Sequence, residues 1–210
     1  MKLHTNDKKT IWYFVGGFFL IWLLRVLFLP SPVANSLNGD LIGTFIRIVL
    51  FLGPAVLVIH YYYHEKFTEA FALHKPKRIG VILAIAYAIL IVADVYVTKR
   101  VQFTHNIWIL LNIPFAPIIE EFVFRGFLLT KLEKQMDGMQ AVVMSAIVFT
   151  VLHFPGWILL SHMTPIVLLM TSAQVFIFGF ILGIIKRQSK SVYPGMVVHI
   201  INNLLVFGTV

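Results

Sequence analysis

The stretch Pro117-Ile-Ile-Glu120-Glu121-Phe-Val-Phe-Arg125-Gly-Phe-Leu-Leu sets two carboxylates and a guanidinium inside an apolar helical run. In a bilayer each such group costs about 2.5–3.5 kcal/mol at the helix centre, so we interpret the stretch as a functional site within a membrane. Glu121 and Arg125 are four residues apart and share a helix face, whereas Glu120 points about 140° away from Arg125. We therefore expect a Glu121–Arg125 pair, with Glu120 directed at a partner on another helix.

The composition is that of a membrane protein. Of the 210 residues, 59% are hydrophobic and 12% are charged, and the mean hydropathy is +0.88, whereas soluble domains carry about 25% charged residues. The net charge of +8 lies in short clusters between apolar runs, which is typical of cytoplasmic loops beside anionic lipid and not of nucleic-acid binding. The absence of cysteine excludes disulfides, thiol nucleophiles and cysteine metal sites.

Seven hydrophobic segments are long enough to cross a bilayer, which predicts an all-α, polytopic transmembrane helical bundle. They lie near residues 11–29, 41–63, 79–97, 107–130, 140–156, 164–185 and 193–210. Of the 17 lysines and arginines, twelve fall in segments that are inside when the N-terminus is inside, two fall outside and three lie within spans. This asymmetry predicts an N-in/C-out topology. We expect a single membrane domain over 1–210, with the N-terminal spans in 1–105 and a motif-bearing core in 106–210.

Two features of the second half concern helix geometry. Pro114 and Pro117 interrupt the helix before the two glutamates, so we expect it to restart at Pro117 with both acids in its first turn, where a helix favours negative charge. The sixth span carries Gly179-Phe-Ile-Leu-Gly183, a small-residue face that predicts close helix packing rather than chemistry.

Four polar side chains of the second half reach a similar depth. Counted at about 1.5 Å per residue from the inner helix ends, Glu120, His153, His199 and Asn203 all lie between the inner half and the middle of the membrane. We predict that Glu120 with His153 holds and deprotonates a water, because a carboxylate in a low-dielectric site is suited to act as a general base. His199 and Asn203 share a helix face and would stabilise the oxyanion, a contribution of about 3 kcal/mol per donor.

A bound divalent metal is the alternative to this glutamate-driven chemistry. Glu120, His153 and His199 would then be the ligands, and an ion such as zinc would activate the water. The sequence leaves both possibilities open: a site that requires no cofactor, or one that holds a divalent metal.

The order and spacing of these residues resemble the three motifs of the CAAX-protease and bacteriocin-processing family, also called the CPBP or Abi intramembrane proteases. Together the motifs cover about 85 residues and read Glu120-Glu121-Phe-Val-Phe-Arg125, Phe149-Thr-Val-Leu-His153 and His199-Ile-Ile-Asn202-Asn203. The resemblance implies an all-helical membrane fold with a cavity between the last four helices, open to the cytoplasmic side or to lipid. It also implies that Glu120 is the base and that His153 is its partner on the water. His199 and Asn203 would then bind the oxyanion, and Glu121 and Arg125 would support the site.

The resemblance predicts an intramembrane endopeptidase that cleaves near the cytoplasmic side. Its partners would be membrane lipid and a peptide or lipidated-protein substrate, such as a prenylated C-terminus or a bacteriocin, and not nucleic acid. A non-catalytic immunity or scaffold protein is one alternative, although such a chain would be expected to have lost Glu120, His153 or His199. A small proton-coupled transporter is another, although it would be expected to show repeats in both halves. We expect a multi-pass protein of the cell membrane, and its compact size favours a prokaryotic plasma membrane.

Overall fold

The computed structural model describes residues 5–28, 45–46, 48–98 and 113–207, and these ranges contain helices and no strands. We number the helices in chain order. They are α1 (Thr5–Phe28), α2 (Ile48–Tyr63), the short α3 (Phe67–Ala70), α4 (Arg78–Thr98), α5 (Phe115–Glu121, Phe122–Leu128 and Leu129–Leu132 without a break), α6 (Gly138–Val151), α7 (Pro165–Ser189) and α8 (Tyr193–Phe207).

The helices confirm the prediction of a polytopic helical membrane bundle. Four stretches are long and apolar enough to cross a membrane, namely Lys9–Phe28, Arg78–Thr98, Gly138–Leu160 and Pro165–Ser189. Their ends agree with the corresponding predicted spans within four residues. Two shorter apolar helices, α2 and α8, and the motif helix α5 match the remaining three. Parts of four predicted spans lie outside the described residues, namely 29 of the first, 41–44 and 47 of the second, 107–112 of the fourth and 208–210 of the seventh.

Two apolar clusters hold the bundle together. The larger cluster joins α1, α2, α5 and α6, and its aromatic rings meet edge to face, as in the Phe14–Phe127 and Phe18–Phe51 contacts at 4.9 Å. The smaller cluster joins α4, α7 and α8. Helix α5 is buried on every side between residues 123 and 129, as expected of a helix that is apolar all round. Among the described helices, α5 is therefore the most enclosed, and it is the helix that carries Glu120, Glu121 and Arg125.

The start of α5 differs from the prediction. The helix begins at Phe115 and not at Pro117, because a proline at the third helical position removes only an N–H that has no partner within the helix. Glu120 and Glu121 therefore lie in the second turn. The expected stabilisation by the helix N-terminus is accordingly smaller, since that effect falls off within the first turn.

The middle of α5, Phe122–Leu128, is π-helical. Such stretches have a looser hydrogen-bond ladder and are frequent at functional sites. The Ser145 hydroxyl on α6 donates to the Phe124 carbonyl at 3.1 Å. Gly126 allows the chain before α4 to come close, because a Cβ there would lie 2.9 Å from the Phe71 carbonyl oxygen. The π-helical stretch is thus supported from two sides.

The two glycines of α7 pack as predicted. A Cβ on Gly183 would lie 2.9 Å from Cγ1 of Val142, and a Cβ on Gly179 would lie 3.1 Å from both Arg125 Nη2 and the Phe149 ring. The absent side chains therefore let α7 approach α6 and the centre of α5.

Three connections that the topology assigns to the inside meet at one end of the bundle. Glu65 in the α2–α4 connection pairs with Lys131 at 2.5 Å and with Lys134 at 2.9 Å, and Glu133 pairs with Lys186 at 2.6 Å. Two backbone hydrogen bonds join the same connection to the end of α7 and to the residues that follow it: Lys77 N–H donates to the Ser189 carbonyl, and Val192 N–H donates to the Ala72 carbonyl. This convergence is what the predicted topology requires, while the side of the membrane stays a prediction.

The contact between α4 and α7 supplies a stability test. A Cβ on Gly80 would overlap the Cα and backbone nitrogen of Ser189, and backbone cannot move aside as a flexible side chain can. We expect Gly80→Ala to lower the free energy of unfolding by about 1–3 kcal/mol, as overpacking does. Gly17→Ala is the matched control, because a Cβ there meets nothing within 4 Å. Thermal melting of the purified variants should show a lower midpoint for Gly80→Ala alone, and equal midpoints would contradict the close packing of α4 on α7.

The ion pairs at Glu65 predict a loss of stability in acid. Burial by itself would raise the pKa of Glu65, but hydrogen bonds and charge from Lys131 and Lys134 outweigh it and hold the pKa below its usual value. A carboxyl whose pKa is lower in the folded state stabilises the fold above its unfolded pKa of about 4.3, and that stabilisation disappears as the pH falls through the folded value. Melting temperatures measured from pH 6 down to pH 3 should therefore fall less steeply in Glu65→Gln than in the unmodified chain. Parallel curves would show that Glu65 titrates alike in the folded and unfolded states.

Candidate active site

The predicted Glu121–Arg125 pair is confirmed. Arg125 Nη1 lies 3.0 Å from Glu121 Oε1, at 1% and 0% side-chain exposure. The two side chains therefore form an ion pair, but Arg125 Nη1 makes no hydrogen bond because its N–H does not point at the carboxylate oxygen with hydrogen-bond geometry. The second guanidinium nitrogen donates to the Gly179 carbonyl at 3.3 Å, and the guanidinium carbon lies 4.2 Å from the centre of the Phe149 ring. The charge is thus compensated by a carboxylate, a carbonyl and an aromatic face at the same time.

His199 joins the two glutamates. Its Nδ1 lies 3.0 Å from Glu121 Oε1, and its Nε2 lies 3.8 Å from Glu120 Oε2. Because an ionised carboxylate can only accept a hydrogen bond, Nδ1 carries the hydrogen and donates a hydrogen bond to Glu121. The other ring nitrogen, Nε2, faces Glu120. Glu120 keeps 16% exposure where Glu121 has none. The expectation that Glu120 is directed at another helix is therefore confirmed, and its neighbour there is His199 on α8. The predicted action of Glu120 together with His153 on a water stays a prediction.

His153 lies just beyond the end of α6, with its ring oriented by its own helix. Its Nδ1 is 2.8 Å from the Phe149 carbonyl oxygen, and since a carbonyl only accepts, Nδ1–H is the donor and Nε2 is left as an acceptor in the neutral ring. The ring centre lies 5.2 Å from Trp157 and 4.9 Å from Phe149. The Phe149 ring also lies 6.1 Å from His199, so both imidazoles lie against the same aromatic ring.

Asn203 follows His199 by one turn on α8 and is half-buried. Its Oδ1 accepts a hydrogen bond from Asn202 Nδ2 at 3.4 Å. This hydrogen bond orients the Asn203 carboxamide by holding its oxygen. The Nδ2–H groups of Asn203 are hydrogen-bond donors, which is what an oxyanion requires. Of the predicted residues, the structure thus brings Glu120, Glu121, Arg125 and His199 into one cluster, with His153 adjoining through Phe149 and Asn203 on the same helix as His199.

Three residues of this cluster were not predicted to belong to it. Phe149 contacts Arg125 and both histidines, and its only sequence signal was the four-residue spacing to His153. Gly179 supplies a carbonyl as well as space. Gly195 at the start of α8 lets the backbone approach Glu121, since a Cβ there would lie 3.4 Å from Oε2.

The predicted metal ligands do not form a metal site in this arrangement. Within the described residues, no group of three or more histidine, aspartate or glutamate side chains is arranged to hold a metal ion. Glu120 approaches His199, but the predicted set of Glu120, His153 and His199 does not fit such an ion here.

Two cavities adjoin the site helix α8 from the side of α4. An apolar groove of about 710 Å³ runs between these helices and includes Ala88, Val92 and Val198. A cavity of about 520 Å³ further along the same interface includes Asp94 and Asn202. Both are formed with α4, which is outside the last four helices, so the cavity expected between those four helices stays a prediction.

Comparison with known proteins agrees with this geometry. Residues 102–205 match the family model described as type II CAAX prenyl endopeptidase Rce1-like, and the match includes all six predicted site residues. No curated protein and no solved structure gives a match to the chain. The match accords with the resemblance to the CPBP intramembrane proteases, and the long apolar helices accord with a multi-pass membrane protein. The C-terminal half of this chain is therefore a domain of the Rce1-like type II CAAX prenyl endopeptidase family.

Proposed function

We propose that this chain is an intramembrane endopeptidase that hydrolyses a peptide bond near the cytoplasmic side, in a peptide or lipidated protein held by the membrane. The observation that carries the proposal is the buried His199 ring between two carboxylates, 3.0 Å from Glu121 and 3.8 Å from Glu120. Ionised groups inside a bilayer cost several kcal/mol, whereas interhelical hydrogen bonds contribute about 0.6 kcal/mol on average. A purely structural role does not account for that cost.

Glu120 is the general base of the proposed reaction. It is the more exposed of the two adjacent acids, so it can reach a water that Glu121 cannot. His153 Nε2, an acceptor because Nδ1 donates to the Phe149 carbonyl, binds the same water. Glu120 removes one proton as the water oxygen attacks the peptide carbonyl carbon. The same proton then passes to the departing nitrogen as the C–N bond breaks.

His199 and Asn203 stabilise the oxyanion of the tetrahedral intermediate. The His199 ring serves as a donor through Nε2 when both ring nitrogens carry a proton, because Nδ1 is already engaged with Glu121. Asn203 donates through Nδ2 from one turn further along α8. A donor of this kind contributes about 3 kcal/mol to transition-state stabilisation.

Glu121 and Arg125 support the site without touching the reacting atoms. Glu121 fixes the tautomer and orientation of His199 by accepting from Nδ1, as second partners of functional histidines commonly do. Arg125 compensates the charge of Glu121, and its contacts to Gly179 and Phe149 prevent it from moving toward Glu120.

A substrate that carries a lipid chain fits the surroundings of the site. The groove between α4 and α8 is apolar, has a volume of about 710 Å³ and includes Val198, the residue before His199. A prenylated cysteine near a protein C-terminus has the required combination of an apolar chain and an adjacent peptide bond.

The experiment that tests the proposal compares cleavage of membrane-anchored reporter peptides, with and without a prenylated cysteine, by the unmodified chain and by Glu120→Gln. We expect Glu120→Gln to lower the cleavage rate by at least about 100-fold, the contribution of a general base. Its melting temperature should remain unchanged. Glu69→Gln is the matched control, because Glu69 is an exposed carboxylate outside the site, and it should cleave normally.

A strong chelator added to each reaction distinguishes the two water-activating chemistries. Cleavage that survives the chelator supports activation by Glu120 alone, and cleavage that is lost and then restored by a divalent metal supports the metal-dependent alternative. Equal rates for Glu120→Gln and the unmodified chain would contradict the assignment of the base. Failure of the unmodified chain on every peptide would favour the non-catalytic immunity or scaffold alternative.

The supporting pair is tested by removing one charge or both. Glu121→Gln leaves the buried Arg125 uncompensated and should lower the free energy of unfolding by about 3–5 kcal/mol. The double variant Glu121→Gln/Arg125→Met removes both charges, so its melting temperature should recover toward that of the unmodified chain. Its cleavage rate should stay low, because His199 has lost the carboxylate that orients it. A double variant as unstable as Glu121→Gln would show that the pair does more than balance charge.

A further inference from the structure

A polar cavity of about 520 Å³ opens where the α2–α4 connection meets the ends of α5 and α7. Its lining includes four lysines, three glutamates and one histidine. None of these residues belongs to the candidate active site. The cavity lies at the end of the bundle that the lysine and arginine distribution assigns to the cytoplasm.

The walls of this cavity carry an excess of positive charge. Glu65 is shared by Lys131 and Lys134, as described above. Glu133 is shared in the same way by Lys186 at 2.6 Å and Arg187 at 4.0 Å. Each of these two carboxylates therefore neutralises only one of its two cations, although Lys131 and Arg187 lie outside the lining itself. The third lining carboxylate, Glu69, pairs with His74 at 3.4 Å, so the lining has four lysines against three glutamates.

Two further lysines line the cavity without a carboxylate of their own. Within the described residues, no carboxylate oxygen lies within ion-pair distance of Lys66 or Lys190, and both side chains are exposed. The Thr130 hydroxyl, also in the lining, is buried and has no hydrogen-bond partner there. The cavity is thus lined by two exposed cations that have no carboxylate of their own and by one hydroxyl that has no hydrogen-bond partner.

The backbone of the lining is unusual at two points. Lys190 has a φ of 58° and Ala72 has a φ of 53°, in the left-handed region that favours glycine. Side chains in such conformations cost free energy and cluster at binding sites. Lys190 follows the last residue of α7, where glycine is the usual choice, so its conformation is consistent with a role for its side chain.

We propose that this cavity binds the headgroup phosphate of an anionic membrane phospholipid. Basic pockets between transmembrane helices on the cytoplasmic side bind such headgroups, and lysine ammonium groups bind phosphate as point charges. The depth of the cavity in the membrane also fits a lipid headgroup. Glu133 is 13 residues from Glu120 along α5, or about 20 Å, which separates the interfacial headgroup region from a site near the middle of the bilayer.

The same distance argues against a substrate carboxylate as the occupant. A CaaX sequence has three residues after its prenylated cysteine, and three extended residues span at most about 11 Å. A peptide cut beside Glu120 would leave its terminal carboxylate short of Lys66 and Lys190. The inference therefore does not depend on the proposed peptidase activity.

The test measures lipid binding by the full chain in detergent, with bound lipid counted by native mass spectrometry. Phosphatidylglycerol is the anionic probe and phosphatidylcholine the zwitterionic one. The unmodified chain should prefer phosphatidylglycerol, and Lys66→Gln/Lys190→Gln should weaken its binding by about tenfold, as expected from losing two interfacial lysines. Lys75→Gln/Lys77→Gln is the matched control, because it makes the same charge change at the same end of the bundle but outside the cavity lining, and it should bind as the unmodified chain does. All three proteins should melt at the same temperature, since neither pair of lysines takes part in the ion pairs of Glu65 and Glu133.

Three results would overturn the proposal. One is equal binding of the two lipids by the unmodified chain. Another is an equal loss of phosphatidylglycerol binding in both double variants, which would indicate only the general surface charge. The last is displacement of phosphatidylglycerol by inorganic phosphate at the same concentration, which would identify a site for free phosphate instead of a lipid headgroup.

Discussion

The buried ion pair between Glu121 and Arg125 is the constraint on which the rest of the site depends. A guanidinium in the centre of a membrane bundle must be compensated on every side, and each compensating group comes from a different helix. Glu121 lies one turn away on α5, Phe149 covers the charge from α6 and the Gly179 carbonyl accepts from α7. The fourth helix, α8, joins through His199, which donates to Glu121. One pair of charges thereby fixes the relative positions of the last four helices.

Adjacent positions in the sequence acquire different environments because a helix turns by about 100° per residue. Glu121 faces the core and is fully enclosed, and Glu120 faces α8 and retains some access. Two chemically identical side chains thus have two roles in the proposed reaction, Glu121 as a fixed counter-ion and Glu120 as the group that exchanges a proton. Pairs of carboxylates with contrasting environments are a recurring arrangement in acid–base catalysis.

Much of this could be predicted because it is local. The Glu121–Arg125 pair follows from a four-residue spacing, and the close packing at Gly179 follows from a small-residue face. The contact of His199 with Glu121 could not be predicted, because helical periodicity gives the face of each residue but not the helix that it meets. The start of α5 was misplaced since proline is tolerated anywhere in the first turn, where its missing N–H has no partner to lose. Phe149 was quoted as part of a motif but given no role, because its four-residue spacing to His153 does not say what else the ring contacts, and only the fold reveals that a cation lies over it.

The joined connections at one end of the bundle restrict the routes by which a substrate of the proposed reaction could reach the site. Ion pairs of Glu65 and Glu133, together with two backbone hydrogen bonds, tie the α2–α4 connection to the ends of α5 and α7. A chain threading in from that end would have to break these contacts one after another. Between α4 and α8 the wall is apolar, and no ionic contact among the described residues closes it. In the proposed reaction a hydrophobic segment would therefore enter sideways through this groove, which includes Val198 next to His199, and the membrane itself would select which molecules arrive.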